Sequence, residues 1–179
     1  MKKTETIHGV FVEVFGVGIV IVGKSGMGKS ECALDLVARG HRLIADDVVK
    51  LSLENGQLWG EPDAALKDFL EIRGLGVLNI NDLFGVASIR DHKIVEMIVE
   101  FFPFPENRDY DRLGFEENYK TYLGAKIPFV TIPVSPGRYL TTLVEVAARN
   151  YLLKLRGRFS SKDFEKRINK KLFKSSGKK

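Results

Sequence analysis

Eight consecutive residues, Gly23-Lys24-Ser25-Gly26-Met27-Gly28-Lys29-Ser30, carry the first chemistry legible in the chain. They fit G-x-x-x-x-G-K-[ST], a loop that cradles phosphate. Gly23, Gly26 and Gly28 let the backbone curl until successive N–H groups face one anion. A helix starting at that anion adds its own orphan N–H groups and the positive end of its dipole. Lys29 supplies a cation for the β- and γ-phosphates of a nucleotide, and the Ser30 hydroxyl a ligand for Mg²⁺. A glycine-rich turn would satisfy the same pattern. What separates the two is a strand before the loop and a helix after it.

Other reactive side chains follow at intervals. Asp46 and Asp47 end a short apolar run, and two adjacent acids can divide two jobs, one serving a metal and the other taking a proton. A turn or helix cap would also favour Asp there. Glu71 and Arg73 stand in otherwise apolar sequence. A metal for Glu71 and a phosphate or carboxylate for Arg73 would satisfy them, as would a mutual surface ion pair. The run Pro133-Val134-Ser135-Pro136-Gly137-Arg138 is a rigid loop with an arginine before a helix, either an anion site or a solvated turn. His8 lies at the mouth of the first strand, where a lone histidine is ordinarily solvated or packed. Cys32 reads as a small residue on the helix after the glycine loop.

The elements that must position these groups are legible from periodicity. Residues 6–14 are rich in β-formers and predict one strand, with a turn at 15–18 and pairing to the apolar strand 18–22 as a hairpin. Residues 30–39 predict a helix stopped by Gly40, and residues 41–45 a strand. Residues 48–60 predict a hairpin about Asn55-Gly56. A short helix is expected over 64–70, and strands over 94–102 and 126–133. Residues 142–156 predict a core helix with Leu143, Val146, Ala147 and Tyr151 on its stripe. The last helix, from 160 or 161 to about 173, has an apolar stripe of Phe164, Ile168 and Leu172 and an otherwise basic surface. It either packs on its own domain or docks a partner protein.

The 179 residues suffice for one domain with a sizeable core, and 44% hydrophobic with 28% charged residues is a globular composition. No run is long and apolar enough to cross a membrane, and no signal-type segment follows Met1. A single cysteine makes a reducing cytoplasm the default expectation. The net charge of +5 is uneven: residues 150–179 carry eleven Lys or Arg against Asp163 and Glu165, a balance of +9, leaving −4 for residues 1–149. That argues against a fold-wide nucleic-acid surface and for a local basic arm or docking helix.

Taken together, His8-Gly9, GKSGMGKS at 23–30, GHRLIADD at 40–47, LEIRGLGVLN at 70–79, YDR at 110–112 and IPVSPGR at 132–138 resemble the catalytic domain of the HPr kinase/phosphorylase family. The run covers nearly the whole chain, from His8 to about Leu172. The resemblance implies an α/β, P-loop nucleotide-binding fold similar to phosphoenolpyruvate carboxykinase, with a mixed sheet and C-terminal helices. It implies one catalytic domain over 1–179, without the family's N-terminal domain. It further implies a cytoplasmic enzyme that uses ATP and Mg²⁺ to phosphorylate a serine of the phosphocarrier HPr. The same site would reverse the reaction by phosphorolysis, releasing pyrophosphate, and family members are hexamers.

Residue by residue, the resemblance gives Gly23 to Ser30 to the nucleotide, with Lys29 on the β- and γ-phosphates. It gives Ser30 and Glu71 to the metal, with Asp46 close by, and Asp47 to proton transfer. His8 and Arg112 match further active-site positions. The 70–79 stretch, Arg73 included, serves both reactions, and the loop from Pro133 to Arg138 mainly dephosphorylation. Ser135 stands where members commonly carry another basic residue, and Tyr139 where they carry Asn. Two other readings compete: a P-loop kinase of a small-molecule acceptor, and a nucleotide-gated nucleic-acid binder using the basic tail.

Overall fold

A computed structural model describes residues 3–104 and 117–176. The chain opens with β1 (Thr4–His8), β2 (Val10–Val14) and β3 (Val17–Gly23), followed by α1 (Lys29–Ala38) and β4 (Arg42–Ala45). Next come β5 (Val48–Glu54), β6 (Gln57–Pro62), β7 (Phe69–Ile72), β8 (Gly76–Asn79) and the short α2 (Ile80–Phe84). The remainder is β9 (Lys93–Ile94), β10 (Met97–Pro103), β11 (Asn118–Tyr122), β12 (Ala125–Val134), α3 (Leu140–Leu155) and α4 (Ser160–Ser176).

A six-stranded mixed sheet, in the order β11-β12-β10-β3-β2-β4, forms the middle layer. β10 runs parallel to both β3 and β12, and the other pairings are antiparallel. On one face Val17, Ile19 and Ile21 of β3 pack with Ala33, Leu36 and Val37 of α1 and with Val144 and Ala148 of α3. On the other face Val20 and Val22 meet Val49 and Leu51 of β5 and Leu58 of β6. Those strands belong to a second sheet, β1-β5-β6-β9. Burial on both faces is why β3 reads as a continuous apolar run rather than an alternating one. The mixed sheet and the C-terminal helices agree with the sequence expectation.

Four local expectations are corrected. Residues 6–14 are two strands in two sheets: β1 pairs with β5, and β2 with β3 and β4. The break is at Gly9, where an added Cβ would stand 2.7 Å from the Ile21 carbonyl oxygen, so only glycine lets the chain cross there. Residues 64–68 are turns rather than a helix, because Asp68 sits at φ +68 and the chain then enters β7. On α3 the buried positions are Thr141, Val144 and Ala148, while Val146 is exposed. Leu143, Ala147 and Tyr151 of the expected stripe do pack half-buried against the core, so the stripe fails only at Val146, and Thr141 faces Cys32. Finally β11, β8 and α2 were not expected. The β11–β12 turn uses Leu123 at φ +52 before Gly124, and leucine is no turn signal.

Candidate active site

The glycine loop joins β3 to α1 at the edge of the central layer. Gly23 has φ +143, and a Cβ there would stand 2.4 Å from the Phe101 carbonyl oxygen of β10. Gly28 caps α1 in the left-handed conformation with no side chain covering the helix end, so the first-turn N–H groups remain open to an anion. The Lys29 ammonium donates to the carbonyls of Gly23 at 3.0 Å and Lys24 at 3.1 Å, folding back over the loop. Lys24, Ser25, Gly26 and Met27 form the loop's crest.

Three segments converge on this loop. The first follows β4. Asp46 is 6% exposed and accepts the Ser30 hydroxyl on Oδ1 at 2.9 Å. Burial pushes its carboxyl above the usual range, against the Glu71 N–H and Ser30 hydrogen bonds that pull it down. Asp47 adopts φ +64, and its carbonyl accepts the Gly9 N–H at 3.0 Å. This contact ties the β1–β2 break to Asp47, and His8 Nδ1 lies 3.6 Å from Asp47 Oδ1 with both side chains open to solvent. A predicted strand-mouth histidine and a predicted acid thus form a pair, although 39 residues separate them.

The second segment is the β7–β8 hairpin. The Glu71 N–H donates to Asp46 Oδ2 at 3.0 Å, and the Glu71 side chain is exposed. Arg73 reaches across the glycine loop, 3.5 Å from Ser25 Oγ, with its guanidinium above Gly26. The mutual ion pair weighed for Glu71 and Arg73 is not formed, and among the described residues Arg73 meets the Ser25 hydroxyl instead.

The third is the loop before α3. Arg138 donates to the Pro133 carbonyl at 2.9 Å and its N–H to Ser135 at 3.2 Å, so Pro133, Val134, Ser135, Pro136, Gly137 and Arg138 close on themselves. Leu140 stands beside the glycine loop, its Cδ1 3.7 Å from where a Cβ on Gly28 would lie, and so brings the 133–138 loop near it. Sequence reasoning missed Leu140, and it quoted Gly9 beside His8 without the strand break that Gly9 makes. Gly9 carried a signal in its glycine within a run of β-formers. Arg112 lies outside the described residues.

Among the described residues no group of three or more His, Cys, Asp or Glu side chains stands together as a metal cage. Mg²⁺ rarely uses one, being held by one or two carboxylates together with substrate phosphates. The Ser30 hydroxyl at the glycine loop and the exposed Glu71 carboxylate suit that mode, with Asp46 bonded to Ser30 Oγ and to the Glu71 N–H between them. A further cavity lies elsewhere: an open, mostly apolar groove of about 750 Å³ lined by β11, β12 and α3, which among the described residues shares Pro133 and Arg138 with the candidate site.

Comparison with known proteins bears on the whole arrangement. The family model described as HPr Serine kinase C-terminal domain matches residues 1–168. An HPr kinase/phosphorylase of Geobacter sulfurreducens is 51% identical over 169 residues, which are 94% of this chain and 53% of that protein. Another, of Peptoclostridium acidaminophilum, is 48% identical over 173 residues, 96% of this chain and 56% of its relative. The chain thus spans about half the length of the curated relatives it matches. The solved structure of the Hpr(Ser) kinase/phosphatase from Coxiella burnetii superposes with a TM-score of 0.79 at 33% identity, covering 89% of this chain and 98% of that one. With a family model spanning the glycine loop, both aspartates and the 70–79 hairpin, the chain belongs to the HPr serine kinase C-terminal domain family.

Proposed function

We propose that this chain carries the catalytic site of a bifunctional, cytoplasmic enzyme, assembled as a homohexamer. It transfers a phosphoryl group from ATP to a serine of HPr, and it removes that group by phosphorolysis to pyrophosphate. The observation that carries the reading is the convergence of Asp47, His8 and the Glu71–Arg73 segment on one P-loop. Its likeness to a P-loop fold of the phosphoenolpyruvate carboxykinase type belongs to the same proposal.

ATP brings the transferable group, and Mg²⁺ offsets the charge on its oxygens. The loop amides, the α1 N-terminus and Lys29 hold the phosphates, for which Lys29 exchanges its present bonds to the Gly23 and Lys24 carbonyls. Ser30 and Glu71 would hold the metal, which would supply charge neutralisation there, and Arg73 closes over the loop from the other side. Asp47 takes the proton of the attacking serine hydroxyl as the serine O–P bond forms and the bond to the β-phosphate bridging oxygen breaks. In reverse, an oxygen of inorganic phosphate attacks phosphoserine, and Asp47 returns the proton to the departing serine oxygen. His8 orients Asp47 in both directions, Arg112 takes a further active-site position, and the 133–138 loop serves mainly the dephosphorylation.

The test is ATP with HPr, then inorganic phosphate with phospho-HPr, with pyrophosphate measured in the second reaction. Both reactions should proceed, and Lys29→Ala should abolish both, because each fills the same cradle. Transfer to a small metabolite without transfer to HPr would overturn the reading in favour of a small-molecule kinase.

A further inference from the structure

Asp46 makes more contacts than a free metal ligand would. Its Oδ1 accepts the Ser30 hydroxyl at 2.9 Å, its Oδ2 accepts the Glu71 N–H at 3.0 Å, and its carbonyl accepts the Val48 N–H at 2.8 Å. With 6% of its surface exposed, little of the carboxylate can reach a cation. A serine hydroxyl has one proton and two lone pairs. Giving the proton to Asp46 leaves both lone pairs of Ser30 Oγ for a cation at the cradle. The second bond has a different effect. Among the described residues the β7–β8 hairpin is a two-stranded sheet that no third strand extends, and such hairpins are marginal alone. Leu70 and Ile72 anchor its inner face in the core, and the Ile80 N–H bonds the Asp68 carbonyl at its base. The Glu71 N–H bond to Asp46 is a further tie, at the residue whose side chain faces outward.

We infer that Asp46 is a positioning residue: it turns the Ser30 proton away from the cradle and latches the β7–β8 hairpin, so that Glu71 and Arg73 stand over the P-loop. It does so without binding the cation itself. This rests on the reading above that the P-loop takes a nucleotide with Mg²⁺. It departs from the expectation that grouped Asp46 with the metal ligands. One carboxylate thus sets two of the features that receive the cation, across the 25 residues between Asp46 and Glu71.

Substitution separates the two bonds. Asn at this position offers one acceptor and one donor where two acceptors are needed. If its oxygen takes the Glu71 N–H, its amide must face Ser30 Oγ, and the hydroxyl proton swings towards the cradle against a cation. If it is flipped, amide faces amide at Glu71 and the hairpin loosens.

The experiment uses the intact chain as wild type, Asp46→Asn, Asp46→Ala and Ser30→Ala. Two quantities are measured: hydrogen exchange of the Glu71 amide without ligand, and ATP affinity with Mg²⁺ and with EDTA. In Asp46→Ala, Glu71 exchange should quicken about tenfold or more while amides of β3 and β10 stay unchanged. The gain in ATP affinity from Mg²⁺ should fall by a similar factor, and the affinity in EDTA should hold within about twofold. Ser30→Ala should lose the Mg²⁺ gain and keep the Glu71 amide protected, which keeps the idea testable if Asp46→Ala does not fold. Loss of the Mg²⁺ gain in Asp46→Asn and Asp46→Ala with Glu71 exchange unchanged would make Asp46 a direct ligand and overturn the inference. Unchanged exchange and unchanged Mg²⁺ gain would overturn it as well. Wild-type protein that binds no ATP under either condition would instead sink the nucleotide reading, and the latch would then stand or fall on Glu71 exchange alone.

Discussion

Replacing Asp47 by Asn and by Ala separates its chemistry from its conformation. Asp47 is held at φ +64, a region that Asn tolerates and Ala does not. Its backbone carbonyl accepts the Gly9 N–H, and neither substitution touches that bond. Asp47→Asn should therefore cost little stability. Asp47→Ala should cost about 1 kcal/mol of left-handed strain, or about 2–4 °C in Tm for a chain of this size. The His8 contact adds nothing to this reckoning, since both side chains are solvent-exposed. If Asp47 is the proton acceptor, both variants should lose about 10²- to 10⁴-fold in phosphoryl transfer to HPr. Affinity for ATP should change little, because on the proposed reading the phosphates rest on the glycine loop and not on Asp47. Single-turnover transfer at saturating ATP, a Mg²⁺ titration and thermal melts give the three readings. A near-normal rate in Asp47→Asn would refute the assignment. A lost rate restored by excess Mg²⁺ would make Asp47 a metal ligand instead. Equal melting of the two variants would refute the strain argument, whatever happens to the rate.

Three further outcomes follow from the structure. A Cβ on Gly18 would stand 1.9 Å from the Ile94 carbonyl oxygen, so Gly18→Ala should destabilise by about 3 kcal/mol or more in urea unfolding. Burial pushes the Cys32 thiol up to about 12. Its raised folded value adds stability that is fully present below the unfolded value near 8.5 and fades as pH climbs towards 12, by about 1.4 kcal/mol per pH unit. Folded protein at pH 8 should resist iodoacetamide until it unfolds, and rapid alkylation under native conditions would contradict this. Residues 162–171 of α4 are all exposed, so deleting residues 159–179 should leave the melting of the body nearly unchanged. The same deletion should weaken HPr binding or hexamer assembly, read by titration and ultracentrifugation. A truncated hexamer with unchanged HPr affinity would count against a docking role for the basic helix.

Local chemistry was legible in the sequence because it is written in contiguous residues. The glycine loop, its strand and its helix lie within residues 18–39, and Asn55-Gly56 turns its hairpin through φ values only a few residue types favour. The helices at 30–39, 142–156 and 160–173 were each found within a few residues of α1, α3 and α4. What periodicity could not supply was rotation and partnership. The stripe on α3 was legible at Leu143, Ala147 and Tyr151, but the burial of Thr141 against Cys32, 109 residues away, and the exposure of Val146 were not. The break at Gly9 depends on the Ile21 carbonyl of the neighbouring strand, so residues 6–14 looked like one strand until β3 was in place. The site follows the same division. Residue types named Lys29, Ser30, Asp46, Asp47, Glu71 and Arg73 as candidates. Only the tertiary structure decided that Glu71 offers its N–H to Asp46, that Arg73 spans the loop to Ser25, and that His8 meets Asp47. Hydrogen bonds between residues distant in sequence are set by packing, and a chain read in order carries no direct record of them.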